Sequence, residues 1–423
     1  MLLKGGRVIN PSTNLDEMLD VRIENNTIQE LSANIDPKEN EEFLDVSGKI
    51  ITPGLVDIHC HLREPGFTSK ETTKTGIESA LAGGYTAICP MANTNPAVDN
   101  LMTLNYILEK AKNSENIGFY PICALTKALE GKSIVNISEL IDNGAVAFSD
   151  DGKPVEDMKL LSLALEYIDS LNSLIISHSE DSSLAAEGVI NESYISSTSG
   201  LKGISTLAES VAIARELELV RHYNTRYHFA HVSAKRSVEL IRQAKKEGLK
   251  VTCETAPHYF SITQDDMIPF DARFKVNPPL RSREDYEAII EGLQDGTIDV
   301  IATDHAPHTV EEKKSPIQKA PMGIAGFETA LGLTLTNLVH NGKLSLIEAI
   351  EKLTIAPAKI LNLKNQGIIE KGAVANLTII DQNVEWVVDA SKFKSKCRIS
   401  PFDGKKLKGK AYATIVNGKL NII

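Results

Sequence analysis

Two histidines separated by one residue, His59 and His61 in Val56-Asp57-Ile58-His59-Cys60-His61, are the sharpest chemical signal in this chain. Alternate residues of a strand point to one side, so both imidazoles face the same space and can share one metal ion. Taken alone the pair is weak, since polar residues at a strand end often do no more than hydrogen-bond. Further apolar runs end in similar side chains: His178 in Ile175-Ile176-Ser177-His178, His231 in His228-Phe229-Ala230-His231, and Asp304 in Ile301-Ala302-Thr303-Asp304. As a set they favour a metal centre. Imidazole and carboxylate ligands without a thiolate suit Zn2+, with Mn2+, Co2+ and Fe2+ as lesser alternatives. Water at such an ion has its pKa lowered towards about 7 and becomes a nucleophile able to attack an amide carbonyl. Arg63, two residues beyond His61, reaches the same region, where a guanidinium offers a two-pronged grip on a carboxylate. Its plainer alternative is a surface ion pair.

These residues need a scaffold that brings distant strand ends together. Eight short apolar runs, at 55–61, 86–90, 118–124, 145–149, 174–178, 227–232, 250–254 and 299–304, alternate with helical stretches such as 70–82, 102–112, 158–171 and 234–247. That alternation predicts an α/β fold, a (β/α)8 TIM-type barrel, with strands buried on both faces and chemistry collected where each strand gives way to its loop. The run ends carry His59, His61, Asn93, Thr126, Asp151, His178, His231, His258 and Asp304, an excess of imidazoles and carboxylates over what a barrel without a site requires. The first fifty or so residues read instead as short strands and tight turns, at 2–9, 20–24 and 27–31. Strand-like pieces return at 376–381, 385–388 and 412–417.

The segment Pro53-Gly54-Leu55-Val56-Asp57-Ile58-His59-Cys60-His61-Leu62-Arg63-Glu64-Pro65-Gly66 resembles one signature of the dihydroorotase family of cyclic amidohydrolases, and Ala302-Thr303-Asp304-His305-Ala306-Pro307-His308 resembles the other. Similarity continues through Met91-Ala92-Asn93-Thr94-Asn95-Pro96, Phe148-Ser149-Asp150-Asp151-Gly152, Asn277-Pro278-Pro279-Leu280-Arg281 and Ser400-Pro401-Phe402-Asp403-Gly404, so it covers essentially the whole chain. The resemblance implies a catalytic barrel over residues 53–364 and a composite β domain formed by 1–52 with 365–423. It implies His59, His61, Asp151, His178, His231 and Asp304 as metal ligands for one or two zinc ions per subunit, two being favoured. Relatives such as hydantoinases and allantoinases bridge two metals with a carboxylated lysine, where this chain offers Asp151; Lys153 reads as a solvated loop residue. The resemblance adds Asn93 and His308 to Arg63 as a carboxylate clamp, and Asn277 as a contact to the substrate ring.

The activity so implied is the interconversion of (S)-dihydroorotate plus water with N-carbamoyl-L-aspartate in pyrimidine biosynthesis. Activated water attacks the ring carbonyl, and Asp304 takes its proton and passes it to the departing nitrogen. The stretches 182–200 and 309–322 are long for βα loops and are candidates for a lid. Two alternatives stay open: a cyclic amidohydrolase acting on hydantoins, dihydropyrimidines or allantoin, and a non-catalytic paralogue that binds aspartate transcarbamoylase.

The rest of the sequence narrows the partners. A net charge of −11 over 423 residues argues against a nonspecific grip on nucleic acid or anionic lipid, and 5% aromatic content gives no base-stacking surface. A small-molecule substrate is expected, and the resemblance leaves open a homodimer and association with aspartate transcarbamoylase. Cys60, Cys89, Cys123, Cys253 and Cys397 form no CxxC pair and are expected reduced and mostly buried. No apolar run reaches the roughly 18 residues of a membrane span, and no leader pattern opens the chain, so the cytoplasm is the expected compartment.

Overall fold

Apolar runs of this length must be covered on both faces, and a computed structural model, which describes residues 1–114 and 116–423, pairs them side by side in chain order. The strands are Leu55–Cys60, Tyr85–Pro90, Gly118–Phe119 with Ile122–Cys123, Ala147–Phe148, Ile175–Ser177, Tyr227–Phe229, Val251–Thr255 and Val300–Ile301. All neighbouring pairs are parallel: Val56 lies opposite Ala87, Ile88 opposite Phe119, Cys123 opposite Phe148, and Phe148 opposite Ile175. The series continues through Ile176 with His228, Phe229 with Cys253 and Thr255 with Ile301. The third run is split in two at Pro121, which has no N–H to give to a ladder.

The last run also returns to the first. Cys60 and His305 form a parallel bridge, and His61 N–H donates to the His305 carbonyl at 2.8 Å. Asp57 reinforces that junction from within the core, accepting the Thr303 N–H at 2.7 Å and its hydroxyl at 2.8 Å. Burial pushes the Asp57 carboxyl up to about 7 despite those bonds. The arrangement is of the TIM-barrel type.

The helices cover the outer face for reasons visible in their residues. Thr73–Ala82 begins at Thr72, whose hydroxyl accepts the Thr75 N–H in a capping box, and buries Ile77 and Leu81, four residues apart. Lys235–Lys246 buries Val238, Ile241 and Ala244 along one stripe. Each such Val or Ile contributes about 1.5–3 kcal/mol on leaving water. Among the described residues no helix is long and apolar enough to cross a membrane.

Both chain ends meet in a second sheet of eight strands. Ile50–Pro53 sits in its middle, antiparallel to Leu377–Val387 through Ile51 with Ile379, and parallel to Leu2–Asn10 through Val8 with Ile51. Leu15–Glu24, Thr27–Ser32 and Phe43–Asp45 extend one side, while Lys406–Val416 and Lys419–Ile422 extend the other. The strand expected at 20–24 starts earlier, at Leu15, because its first half pairs with Arg7 to Asn10. Likewise 376–381 and 385–388 form one bulged strand rather than two.

Gly54 is the single residue between the central strand of this sheet and Leu55–Cys60. Its N–H donates to the Asn376 carbonyl at 2.8 Å, and a Cβ placed there would lie 1.8 Å from Thr86 Oγ1 and 2.7 Å from Thr86 Cβ. Thr86 is buried and β-branched, so it cannot rotate away freely. Gly54→Ala is therefore expected to cost about 2 kcal/mol of stability, the scale of overpacking. Denaturant unfolding checks this; a midpoint equal to the parent's would show that the junction is not tightly packed.

Candidate active site

The strand ends converge on one carboxylate. Asp151 Oδ1 lies 3.4 Å from His59 Nε2, 3.6 Å from His178 Nδ1 and 3.4 Å from His231 Nε2, while its Oδ2 lies 3.5 Å from His61 Nε2. Asp304 Oδ1 lies 3.2 Å from His61 Nε2 and 3.6 Å from His59 Nε2. All six side chains are buried. Tetrahedral ligands held about 2.0–2.1 Å from a zinc ion lie roughly 3.3–3.4 Å from one another, so these separations match atoms arranged around ions better than atoms bonded to each other. Two triads could each hold an ion, His59 with His61 and Asp151, and Asp151 with His178 and His231. They share Asp151.

The backbone bends to achieve this. Arg63, His231 and Asp304 have φ of 61°, 32° and 44°, left-handed values that non-glycine residues rarely adopt. Such conformations cost of order 1–3 kcal/mol each and persist where surrounding contacts over-determine them, characteristically at functional sites.

Outer partners then set which ring nitrogen is free. His59 Nδ1–H donates to Glu254 Oε1 at 2.5 Å, and His61 Nδ1–H donates to Asn93 Oδ1 at 2.8 Å, which leaves both Nε2 lone pairs turned towards Asp151. On His178 the roles reverse: Nε2 faces Glu180 Oε1 at 3.9 Å, and Nδ1 faces inward. Glu254 also accepts from His228 Nε2 at 3.2 Å. Carboxylates and amides of this kind fix the tautomer of a metal-binding histidine and raise its basicity.

The donor set fits a divalent cation by its unsatisfied atoms. His59 Nε2 and Asp151 Oδ1 are buried and have no hydrogen-bond partner, while His178 Nδ1 and His231 Nε2, both facing Asp151, lie 2.8 Å apart. Burial opposes a charge on His59, yet the Glu254 and Asp151 carboxylates outweigh it and hold the imidazole well above its ordinary pKa. Burial likewise opposes ionisation of Asp151, and His59, His178 and His231 hold its carboxyl well below the usual range. An ion supplies the positive charge that these carboxylates otherwise draw from protons.

Above the cluster opens a cavity of about 230 Å3, walled by Asp151, Asp304, Arg63, Asn93, Asn277 and Met322. It has room for a small heterocycle. The Arg63 guanidinium is half-buried in this wall, with Nε donating to the Pro307 carbonyl at 3.1 Å and, among the described residues, no carboxylate within 4.0 Å. His308 stands 3.3 Å from Arg63 Nη2. Asn93 lies at the border of wall and cluster: its Oδ1 is taken by His61, and its Nδ2 donates to Asp151 Oδ2 at 3.2 Å. Asn277 Nδ2 donates to Glu180 at 3.0 Å, leaving Oδ1 buried without a partner.

Other expectations fall outside the cluster. His258 ends the seventh run, but its Nε2 meets no partner and burial pushes its pKa down to about 4. Lys153 is exposed. The stretch 182–200 carries helices Ser182–Ala185 and Tyr194–Ser199 around a short strand, Ile190–Asn191, so it is more ordered than its Gly and polar content suggests. The stretch 309–322 is strapped from beneath: Lys275 Nζ donates to the Ile317 and Ala320 carbonyls, both at 2.7 Å, and Lys313 Nζ donates to Pro321 at 3.1 Å. Sequence reasoning assigned no role to Glu254, Glu180 or Asp57. The available signal for Glu254 was a carboxylate closing an otherwise apolar run.

The amidohydrolase family model matches residues 50–420. Dihydroorotase from Acetivibrio thermocellus is 49% identical over 420 residues, spanning 99% of this chain and 98% of that protein. Dihydroorotase from Syntrophus aciditrophicus is 47% identical over 421 residues, with 99% and 98% covered. Among solved structures, L-hydantoinase from Arthrobacter aurescens superposes with a TM-score of 0.90 at 28% identity, covering 100% of this chain and 97% of that one. Dihydropyrimidinase from Brevibacillus agri gives 0.86 at 21% identity, with 100% and 94% covered, and so bears on fold alone.

Glu254→Gln retains the shape of the side chain but removes the charge that polarises His59 and His228. Metal affinity is expected to fall by about 10- to 100-fold, as when other outer partners of metal-bound histidines are lost. Competition against a chromophoric chelator measures it. An affinity equal to the parent's would leave Glu254 a packing residue.

Proposed function

This chain belongs to the amidohydrolase family, and we propose that it is the member that interconverts (S)-dihydroorotate plus water with N-carbamoyl-L-aspartate. It is a hydrolase acting on a cyclic amide. The observation that carries the substrate assignment is Arg63: a half-buried guanidinium that, among the described residues, has no carboxylate partner opens on the cavity that Asp151 and Asp304 also face. A ring bearing a carboxylate pairs that charge. A hydantoin or dihydropyrimidine ring without one forgoes that charged hydrogen bond.

In the same proposal the scaffold is a closed (β/α)8 barrel over residues 53–364, with 1–52 and 365–423 as a composite β domain. Two Zn2+ ions per subunit are the occupants we propose: His59, His61 and Asp304 would hold one and His178 and His231 the other, with Asp151 within reach of both groups. Bound there, such ions acidify water towards about pH 7 and polarise the ring carbonyl. The protein's own groups do the rest. Arg63, flanked by Asn93 and His308, holds the ring carboxylate and thereby places the carbonyl over the cluster. Asn277 Oδ1, buried and unpartnered, accepts a ring N–H. Asp304, held below the ordinary carboxylate range by His61 and the neighbouring imidazoles in spite of burial, is ionised and ready to accept a proton. It then delivers that proton to the departing ring nitrogen, and ring closure runs through the same groups in reverse. Of the stretches 182–200 and 309–322, the second reaches the cavity through Met322 and serves as its lid, whereas the first supplies none of its lining.

Asp304→Asn is expected to keep metal bound and lower turnover at least about a hundredfold. Metal analysis beside an absorbance assay with dihydroorotate reads both quantities, and near-normal turnover with metal retained would remove Asp304 from proton transfer. A panel of dihydroorotate, hydantoin, dihydrouracil and allantoin tests the substrate. Dihydroorotate should be preferred in kcat/KM by at least about tenfold to a hundredfold, the worth of a charged hydrogen bond to Arg63. Equal or greater turnover of an uncarboxylated ring would transfer the assignment to that substrate.

A further inference from the structure

The wall that carries Arg63 contains a second cation. Lys70 lies in the turn between Leu55–Cys60 and the helix Thr73–Ala82, with Nζ 3.3 Å from His308 Nδ1 and 3.1 Å from Glu312 Oε1. Glu312 is itself fixed, since it accepts the Thr309 N–H at 3.0 Å at the start of the short helix Val310–Lys313. On the other side of the imidazole, His308 Nε2 lies 2.8 Å from the Met322 carbonyl and 3.3 Å from Arg63 Nη2.

These contacts determine the protonation of the ring. An ammonium can only donate, so Nδ1 must be the acceptor, and a carbonyl can only accept, so Nε2 must carry the proton. The ring is then neutral, and Nε2 cannot accept from Arg63. With the proton moved to Nδ1, three things would go wrong together: Lys70 would face an N–H, the Met322 carbonyl would face a lone pair, and Arg63 Nη2 would be drawn onto Nε2. We infer that Lys70 is a positioning residue of the carboxylate clamp, which keeps the His308 proton on Nε2 and so leaves the outer N–H groups of Arg63 free for the substrate anion.

The charges around His308 support this. Burial, together with Arg63, Lys70 and Lys313, pushes its pKa down to about 2, while Glu312 Oε2, 3.5 Å from Nδ1, acts in the opposite direction. The Cys397 thiol, the remaining titratable neighbour, is kept neutral because burial raises its pKa. Removing Lys70 takes away a donor and a positive charge and leaves Glu312 facing Nδ1. Both changes act to raise the pKa of the ring and to favour a proton on Nδ1.

The inference rests on the dihydroorotate assignment for its substrate but not for its tautomer, and the test separates the two. Imidazole 15N shifts of the parent, with His308 identified by its loss in His308→Gln, are expected to show a neutral ring protonated at Nε2 that does not titrate between about pH 6 and pH 8. In Lys70→Met the shifts should move towards protonation at Nδ1, which Glu312 then faces. Affinity for orotate, a carboxylated ring, should be weaker by about tenfold. Lys70→Arg should retain the parent behaviour in both measurements. A parent ring protonated on Nδ1 would overturn the inference, even if Lys70→Met failed to fold. So would a folded Lys70→Met with parental shifts and a parental orotate affinity. Failure of the parent to bind orotate or turn over dihydroorotate would instead sink the substrate assignment, with the tautomer still decided by the shifts.

Discussion

Asp151 is buried facing four imidazoles, and most of the site follows from making that tolerable. Its two oxygens lie 3.4–3.6 Å from His59, His61, His178 and His231. Without a cation, buried lone pairs meet buried lone pairs, and each unsatisfied group costs about 1–3 kcal/mol. Protonating the rings relieves one carboxylate at the expense of crowding like charges. A divalent cation at the cluster resolves both problems. The outer acceptors are needed for the same reason: Glu254 and Asn93 each hold the far nitrogen of a ring, so that the near nitrogen presents a lone pair.

The scaffold is shaped to deliver those groups. Parallel strands ending at one rim let residues more than two hundred positions apart in sequence meet, as His61 and Asp304 do at 3.2 Å. Left-handed backbone at Arg63, His231 and Asp304 turns three side chains inward, and the buried Asp57 to Thr303 bonds stiffen the junction where two of them arise. The C-terminal segment contributes from outside the barrel strands. Ser395 hydrogen-bonds Glu71, Glu71 lies beside His305, and His305 stacks on Phe327 with ring centroids 4.2 Å apart. That chain of buried contacts braces the wall carrying His308 and Arg63 against the far end of the polypeptide.

Much of this was legible from residue types and spacing, because periodicity reports which face a side chain takes. His59 and His61 at alternate positions, and His178, His231 and Asp304 at the ends of apolar runs, all project into one space. Periodicity does not report partners. Asn93 was expected in the carboxylate clamp, but its amide is engaged by His61 and Asp151, a choice made by a strand thirty residues away. Glu254 was visible as a charge ending a buried strand, yet its bond to His59 depends on the seventh strand lying one strand removed from the first. Lys70 gave no signal, since a lysine in a turn is ordinarily a solvated charge; only the approach of the 309–322 segment makes it a neighbour of His308. His258 sat at a run end like the ligands and joins none of them, which shows that position along a strand is a necessary condition for ligation and not a sufficient one.

The central claim is that a permanent carboxylate, rather than a lysine modified by CO2, organises two ions. It is tested most directly by rebuilding the site from metal-free protein in CO2-depleted buffer. Zn2+ is added with and without bicarbonate, and zinc per chain is measured beside turnover of dihydroorotate. Because Asp151 carries its charge without any prior reaction, the account predicts two zinc ions per chain and equal activity in both buffers. A requirement for bicarbonate, in either the bound zinc or the rate, would contradict it and move the bridging role from Asp151 to a lysine, with Lys153 the first to be examined.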